Sequence, residues 1–169
     1  MKALFVQNCI RGWVFNFILV GIFLIPILSS AQSKINIAIG ADIWEGYNAS
    51  IRYQTEQSQL ALGVGKSRFI YGHKNDLNIS ASFFYHFHGV SNFTTRRIWY
   101  GKMSIIYSRF QEYVDGPEMD GLTFGVRFGR DFNLSKRVAL SADIGLNYGT
   151  ADSVKIPLFG AGICLLYRI

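Results

Sequence analysis

From Lys34 onward, hydrophobic and polar residues alternate with a period of two in one segment after another, the mark of strands with two unlike faces. The clearest case runs from Val138 to Tyr148. Val138, Leu140, Ala142, Ile144, Leu146 and Tyr148 fall on one side, and Ala139, Ser141, Asp143, Gly145 and Asn147 on the other. Leu77–Phe87 repeats the pattern, with Leu77, Ile79, Ala81, Phe83, Tyr85 and Phe87 against Asn78, Ser80, Ser82, Phe84 and His86; only Phe84 is out of class. Lys34–Asp42, Gly46–Gln54, Gln59–Ser67, Trp99–Phe110, Leu122–Phe132 and Leu158–Ile169 behave alike, which makes eight segments. An even number of strands with short links predicts an all-β, eight-stranded antiparallel up-and-down barrel, whose closure removes unpaired edges. Each segment has about the 9 to 11 residues that cross a bilayer at a tilt.

The links fit this topology. Thr55–Ser58 and Asn133–Lys136 read as tight polar turns on one side of the barrel, and the longer His88–Arg97 shares that side. Val114–Gly121 is the most loop-like link on the opposite side. No internal repeat or low-complexity linker interrupts the chain.

Alternation does not distinguish a membrane barrel from a soluble, lipocalin-like one; the composition of the polar face does. A face turned to water carries many Lys and Glu. Here it is made of Asn36, Ala38, Gly40, Asn48, Ser50, Gln54, Ala61, Gly63, Gly65, Thr123, Gly125 and Gly129 with few charges, which suits a crowded lumen. The apolar face carries aromatics near strand ends: Tyr47, Tyr53, Tyr85, Trp99, Tyr107, Tyr148 and Tyr167, with Phe87, Phe132 and Phe159. Such rows form girdles at membrane interfaces, so this face is expected to meet lipid in a transmembrane barrel.

The first 31 residues do not share the pattern. Lys2 and Arg11 precede an apolar run from Trp13 to Leu28, and Ser29-Ser30-Ala31 ends it with small residues. We read 1–31 as a signal peptide cleaved after Ala31 and 32–169 as the barrel domain, in preference to an uncleaved anchor helix. Cys9 leaves with the signal, so Cys164 has no partner for an intramolecular disulfide. Without Lys2 and Arg11, the 17 basic residues fall to 15 against 11 acidic, a balance too mild and scattered for nucleic acid.

On these residues the chain resembles the small outer-membrane β-barrel proteins of Gram-negative bacteria, of the eight-stranded type. The resemblance rests on Glu45-Gly46-Tyr47-Asn48, Ile51-Arg52-Tyr53-Gln54, Gln59-Leu60-Ala61-Leu62-Gly63-Val64-Gly65 and Arg96-Arg97-Ile98-Trp99-Tyr100-Gly101. Phe159, Ala161, Ile163, Leu165 and Tyr167 also look like a barrel-assembly signal, although the chain ends on Ile169 where such signals finish on an aromatic. The resemblance implies a monomer in the outer membrane with both termini in the periplasm, in contact with outer-membrane lipid and, during biogenesis, the barrel-assembly machinery.

Candidate chemistry lies mostly on the inward face. Arg52, Lys102, Arg127, Asp131 and Asp143 form an expected lumenal charge network, with Asp42 and Arg168 on the same face, because isolated charges in a dry lumen are costly. A register in which paired residue numbers sum to 270 sets Arg127 opposite Asp143 and Phe132 opposite Val138 across the Asn133–Lys136 turn. We expect a plug of this kind, since eight strands enclose a space that side chains fill, ahead of an ion path.

His86 and His88 share a face if their strand continues, but a metal needs a third ligand, and a rim pair of histidines is the simpler expectation. His88 with Ser91 does not have the compact spacing of a lipid-deacylating triad. Asp115, Glu118 and Asp120 read as a solvated turn before a cation site. Lys66, Arg68 and Lys74 suit anionic headgroups, and Asn48, Asn78 and Asn92 match glycosylation patterns by chance. No phosphate loop, cysteine cluster or nucleophile elbow appears. The expected role is therefore structural or interactive, with no cofactor and no enzymatic activity. A narrow pore or transporter ranks second and a lipid-modifying enzyme third.

Overall fold

The computed structural model describes residues 34–66, 74–111, 118–151 and 154–169. The segment read as a signal peptide lies outside them, as do Arg68 and Asp115. The described residues form β1 (Lys34–Asp42), β2 (Gly46–Thr55), β3 (Ser58–Lys66), β4 (Lys74–His88), β5 (Trp99–Gln111), β6 (Glu118–Asn133), β7 (Val138–Ala151) and β8 (Val154–Arg168). Each strand pairs antiparallel with the next, and β1 pairs with β8 to close an up-and-down barrel.

The alternation read in the sequence becomes an inside and an outside. Ile51, Leu62 and Val126 point outward and are 63%, 71% and 67% exposed, whereas inward Asn36, Ser141 and Asn147 are 0%, 1% and 1% exposed. This inverts a water-soluble protein, in which apolar side chains are enclosed and polar ones face solvent. Two small apolar clusters break the polar interior: Ala38, Ala139 and Leu166 form one, and Ala61, Phe84 and Tyr100 the other.

The short links have local causes. Asp42 Oδ1 accepts from the N–H groups of Trp44 (2.8 Å) and Glu45 (3.2 Å), closing the β1–β2 turn ahead of Gly46 at φ 66°. The β2–β3 turn contracts to Glu56 and Gln57, because Thr55 and Ser58 already pair across the ladder.

Several strands outrun their sequence pattern. β4 starts at Lys74 instead of Leu77, β6 at Glu118 instead of Leu122, β7 continues to Ala151 and β8 begins at Val154. Glu118–Gly121, expected in a loop, is therefore strand. These extensions share the end opposite the chain termini, where Lys74, Asn75, Asp76, Glu118 and Asp120 are polar. Ladder hydrogen bonds continue there after neither face has a reason to be apolar, so alternation stops before the strand does.

The β6–β7 register also differs from the expectation. Arg127 faces Gly145, Gly129 faces Asp143 and Phe132 faces Leu140, a shift of two positions. The cause is the turn: Ser135 Oγ accepts from the N–H groups of Arg137 (3.2 Å) and Val138 (3.0 Å), while Leu134 N–H reaches Val138 O (2.9 Å). Asn133 consequently remains in the strand opposite Ala139.

Candidate functional site

The lumen is the site this fold builds, and its charges gather in two groups, one toward each end. At the end far from the termini, the guanidinium of Arg127 is enclosed by acceptors. Its Nη1 pairs with Asp42 and, at 3.0 Å, with Asp143; Nη2 donates to Asp42 Oδ1 (3.1 Å) and Nε to Asn147 Oδ1 (3.2 Å). Lys102 Nζ lies 3.6 Å from Glu45 and 3.9 Å from Asp143. Arg127 thus meets Asp143 across a diagonal, despite the shifted register, because a long guanidinium reaches a residue two positions from its direct partner. Directly opposite, Gly145 leaves room for it: a Cβ there would strike the Arg127 backbone.

Glu45 was not among the expected members. It enters from the β1–β2 turn, where its carboxylate accepts from Ser80 Oγ (2.7 Å) and its backbone carbonyl from Asn78 Nδ2 (3.2 Å). The turn thereby folds over the far mouth of the barrel, and Trp44 Nε1 fastens it to Phe159 O at 3.0 Å.

At the termini end the balance reverses. Asp131 pairs with Arg96 and accepts from Ser141 Oγ at 2.5 Å. Arg96 comes from the β4–β5 link, is 2% exposed and also donates to Gln54 Oε1 at 3.0 Å. Burial pulls its guanidinium below the ordinary arginine range, and Asp131 opposes that shift. Arg168 donates to Asn133 Oδ1 and to Lys136 O (3.4 Å). The five expected members therefore divide: Lys102, Arg127 and Asp143 meet at the far end, Asp131 serves the other group, and Arg52 has no carboxylate partner among the described residues.

Arg52 sits between the groups. Its guanidinium lies 4.6 Å over the Phe84 ring and donates to Cys164 Sγ at 2.9 Å. Phe84, the odd residue in the sequence pattern, meets Tyr100 edge-on at 5.4 Å, and the Tyr100 hydroxyl donates to Asp143 Oδ2 at 3.3 Å. The Tyr100 ring lies across Gly129, where any side chain would collide with it. These aromatics fill the middle of the lumen. Beside them a cavity of about 30 Å³, lined by Asp42, Glu45, Arg52, Phe84, Lys102 and neighbours, has room for a water or two.

The remaining sequence candidates separate. A bulge falls between His86 and His88, so His86 is buried, its Nδ1 donating to Arg97 O at 2.9 Å, while His88 is exposed. Their shared face is lost, and no cluster of three metal-binding side chains occurs among the described residues. Ser91 Oγ accepts from Asn133 Nδ2 (2.9 Å) and from the N–H of Phe93 (3.1 Å), a turn-closing role. Glu118 pairs with exposed Arg109, and Asp120 lies 4.0 Å from the same guanidinium. Lys66 is exposed at the end of β3, and Asn48 and Asn78 point into the lumen.

On the outside, Tyr47, Tyr107 and Tyr148 stand near the far end of their strands, and Tyr53, Tyr85, Trp99 and Tyr167 near the termini end. From Trp99 to Tyr107 is roughly 26 Å along the strand, or roughly 20 Å along the barrel axis at a tilt of about 40°. Trp99 stacks on Phe128 at 5.1 Å, and Phe87 lies 5.7 Å from the same ring.

No family model and no curated protein matches the chain. Among solved structures it is similar to the N-terminal β-barrel domain of Pseudomonas aeruginosa OprF, at 16% identity and TM-score 0.58 over 82% of this chain and 100% of that one. Neisserial surface protein A aligns at 15% identity and TM-score 0.47, covering 81% of this chain and 94% of that one. The de novo designed TMB2.3 aligns at 15% and 0.41, covering 81% and 93%. The likeness to the OprF barrel is one of fold: this chain is a closed, all-antiparallel, eight-stranded barrel of that architecture.

Proposed function

We propose that the chain is a monomeric bacterial outer-membrane β-barrel with a filled lumen, acting in the envelope as a structural or interaction element and not as a catalyst. The outward face supports the membrane reading. Exposed apolar side chains on all eight strands make a surface far larger than the few hundred Å² that soluble monomers expose, and hydrocarbon between two aromatic rows is its natural solvent.

One observation carries the closed state. The lumen is crossed by Arg127, Lys102 and Arg96 in ion pairs and by Phe84 against Tyr100, with about 30 Å³ of open space beside them. Opening a path would separate buried charges from their partners, at a cost of several kcal/mol for each broken pair. Planar-bilayer recordings of the reconstituted protein are expected to show no steady conductance. Sustained openings from the unaltered protein would favour the second reading, a narrow path for small solutes past Arg52 and Lys102.

A further inference from the structure

At the termini end of the barrel, the outer wall carries a cation where the pattern calls for an apolar residue. Arg130 lies between Phe128 and Phe132 on the outward row of β6 and is half-buried. Its guanidinium carbon is 5.0 Å from the centre of the Trp99 ring and 5.0 Å from that of Phe132, so two aromatic faces hold it. Among the described residues it has no carboxylate partner, and its Nε is buried without a hydrogen-bond acceptor.

The surroundings repeat the charge. Exposed Arg97 adjoins this site, since Ile98 O accepts from Asp131 N–H at 2.8 Å, and exposed Lys136 and Arg137 lie on the turn that leaves β6. Within residues 84–101 and 128–140 the single acid is Asp131, which is turned inward and committed to Arg96. These two segments are thus positive; the exposed acid of the same rim is Glu56 on the β2–β3 turn, beside Gln57, whose Oε1 accepts from Arg97 N–H at 3.0 Å, and it makes no ion pair with these cations among the described residues. The opposite rim at the same strands sets Arg109 against Glu118 and Asp120.

We propose that Arg130, clamped by Trp99 and Phe132 and flanked by Arg97, Lys136 and Arg137, binds the headgroup phosphate of an anionic glycerophospholipid in the leaflet on the side of the chain termini. The inference rests on the membrane reading above and adds a ligand class to it. Charge complementarity selects an anion. The position within an aromatic row selects a lipid over a soluble one, because the acyl chains of a bound lipid run down the exposed apolar rows of β5–β7 while its phosphate stays level with Arg130.

Trp99 reports on the site directly. In a Trp13→Phe/Trp44→Phe background it is the remaining tryptophan. The full chain in bilayers of zwitterionic lipid is titrated with brominated phosphatidylglycerol or brominated phosphatidylcholine, and quenching of Trp99 gives their relative binding. The anionic lipid is expected to be preferred about tenfold, with most of that preference carried by Arg130. Arg130→Gln should reduce the preference to near unity, Arg130→Lys should retain part of it, and Lys136→Gln/Arg137→Gln should give an intermediate loss. Arg109→Gln at the opposite rim should leave it unchanged.

Where Arg130→Gln fails to give the heat-modifiable folded band on a gel, the Lys136/Arg137 pair carries the test. Equal quenching by both lipids overturns the proposal, as does an equal loss in Arg109→Gln. Competition by millimolar inorganic phosphate also overturns it, in favour of a bare anion site. A crosslinked dimer with no lipid preference does so in favour of a second copy of the chain. A chain that never inserts overturns the membrane reading and this site together; one that inserts without preference overturns the site alone.

Discussion

The two ends of the barrel are built from the same eight strands but carry charge differently. At the far end, Lys102 and Arg127 meet Asp42, Glu45 and Asp143, so both of these lumenal cations have a carboxylate within 4 Å. At the termini end, Asp131 pairs with Arg96 while Arg168 bonds to Asn133 and Lys136 O, and Arg97, Arg130, Lys136 and Arg137 stand outside with no ion-pair partner among the described residues. The difference separates two uses of charge. Paired charges at the far end fill and tie the lumen, and the surplus at the termini end is directed outward, toward a partner that supplies the anion.

The comparison breaks most readily at Arg127. Arg127→Leu leaves Asp42 and Asp143 buried with half their partners gone and should destabilise the barrel by about 3–5 kcal/mol, read from urea unfolding in lipid vesicles. Arg52→Leu, between the two groups, removes a buried cation that has no acid partner among the described residues and stays on the Phe84 ring; it should cost about 1 kcal/mol or less. Equal losses would mean that carboxylate pairing does not set these lumenal cations apart in the way described.

Next in size is the contrast between faces. Ile144→Arg, in the middle of an outward row, should cost roughly 2–4 kcal/mol of membrane stability. Ser141→Arg, three positions away and inward, should disturb lumen packing beside Asp131 and leave insertion largely intact. Recovery of folded protein from membranes measures both. The smallest effect belongs to the exposed far rim, where Arg109→Gln removes a solvent-screened pair and should change stability by less than about 0.5 kcal/mol.

Most of the barrel was legible because each strand has an exposed apolar face and an enclosed polar one, and that difference writes itself into every second residue. Val138–Tyr148 and Leu77–Phe87 could be assigned to faces residue by residue for this reason. The pattern falls silent where both faces are polar, so it does not reach the beginnings of β4 and β6. Phe84 broke the alternation because the lumen needs a ring at its centre as a platform for Arg52.

The site was less legible, since two of its members arrive from links. The inward strand positions offer Arg52, Lys102, Arg127 and Arg168 against Asp42, Asp131 and Asp143, one carboxylate short, and that deficit was the available hint of Glu45. Arg96 had no comparable signal: nothing in its neighbourhood shows that the β4–β5 link turns one arginine inward to Asp131 and leaves the next outside. The register error of two had a similar origin, a serine hydroxyl closing a turn that charge pairing had been used to set.

The central claim is that the apolar rows touch hydrocarbon while the polar rows close upon one another. Solid-state NMR of the isotopically labelled protein in bilayers tests it without altering a residue, by following magnetisation from lipid methylenes and from water into β7. Leu140, Ile144, Leu146 and Tyr148 should fill rapidly from lipid, while Ser141, Asp143, Gly145 and Asn147 fill slowly from water. Rapid transfer from water into those four inward residues would mean an open channel, and transfer from water into the outward row would mean that no bilayer surrounds the barrel.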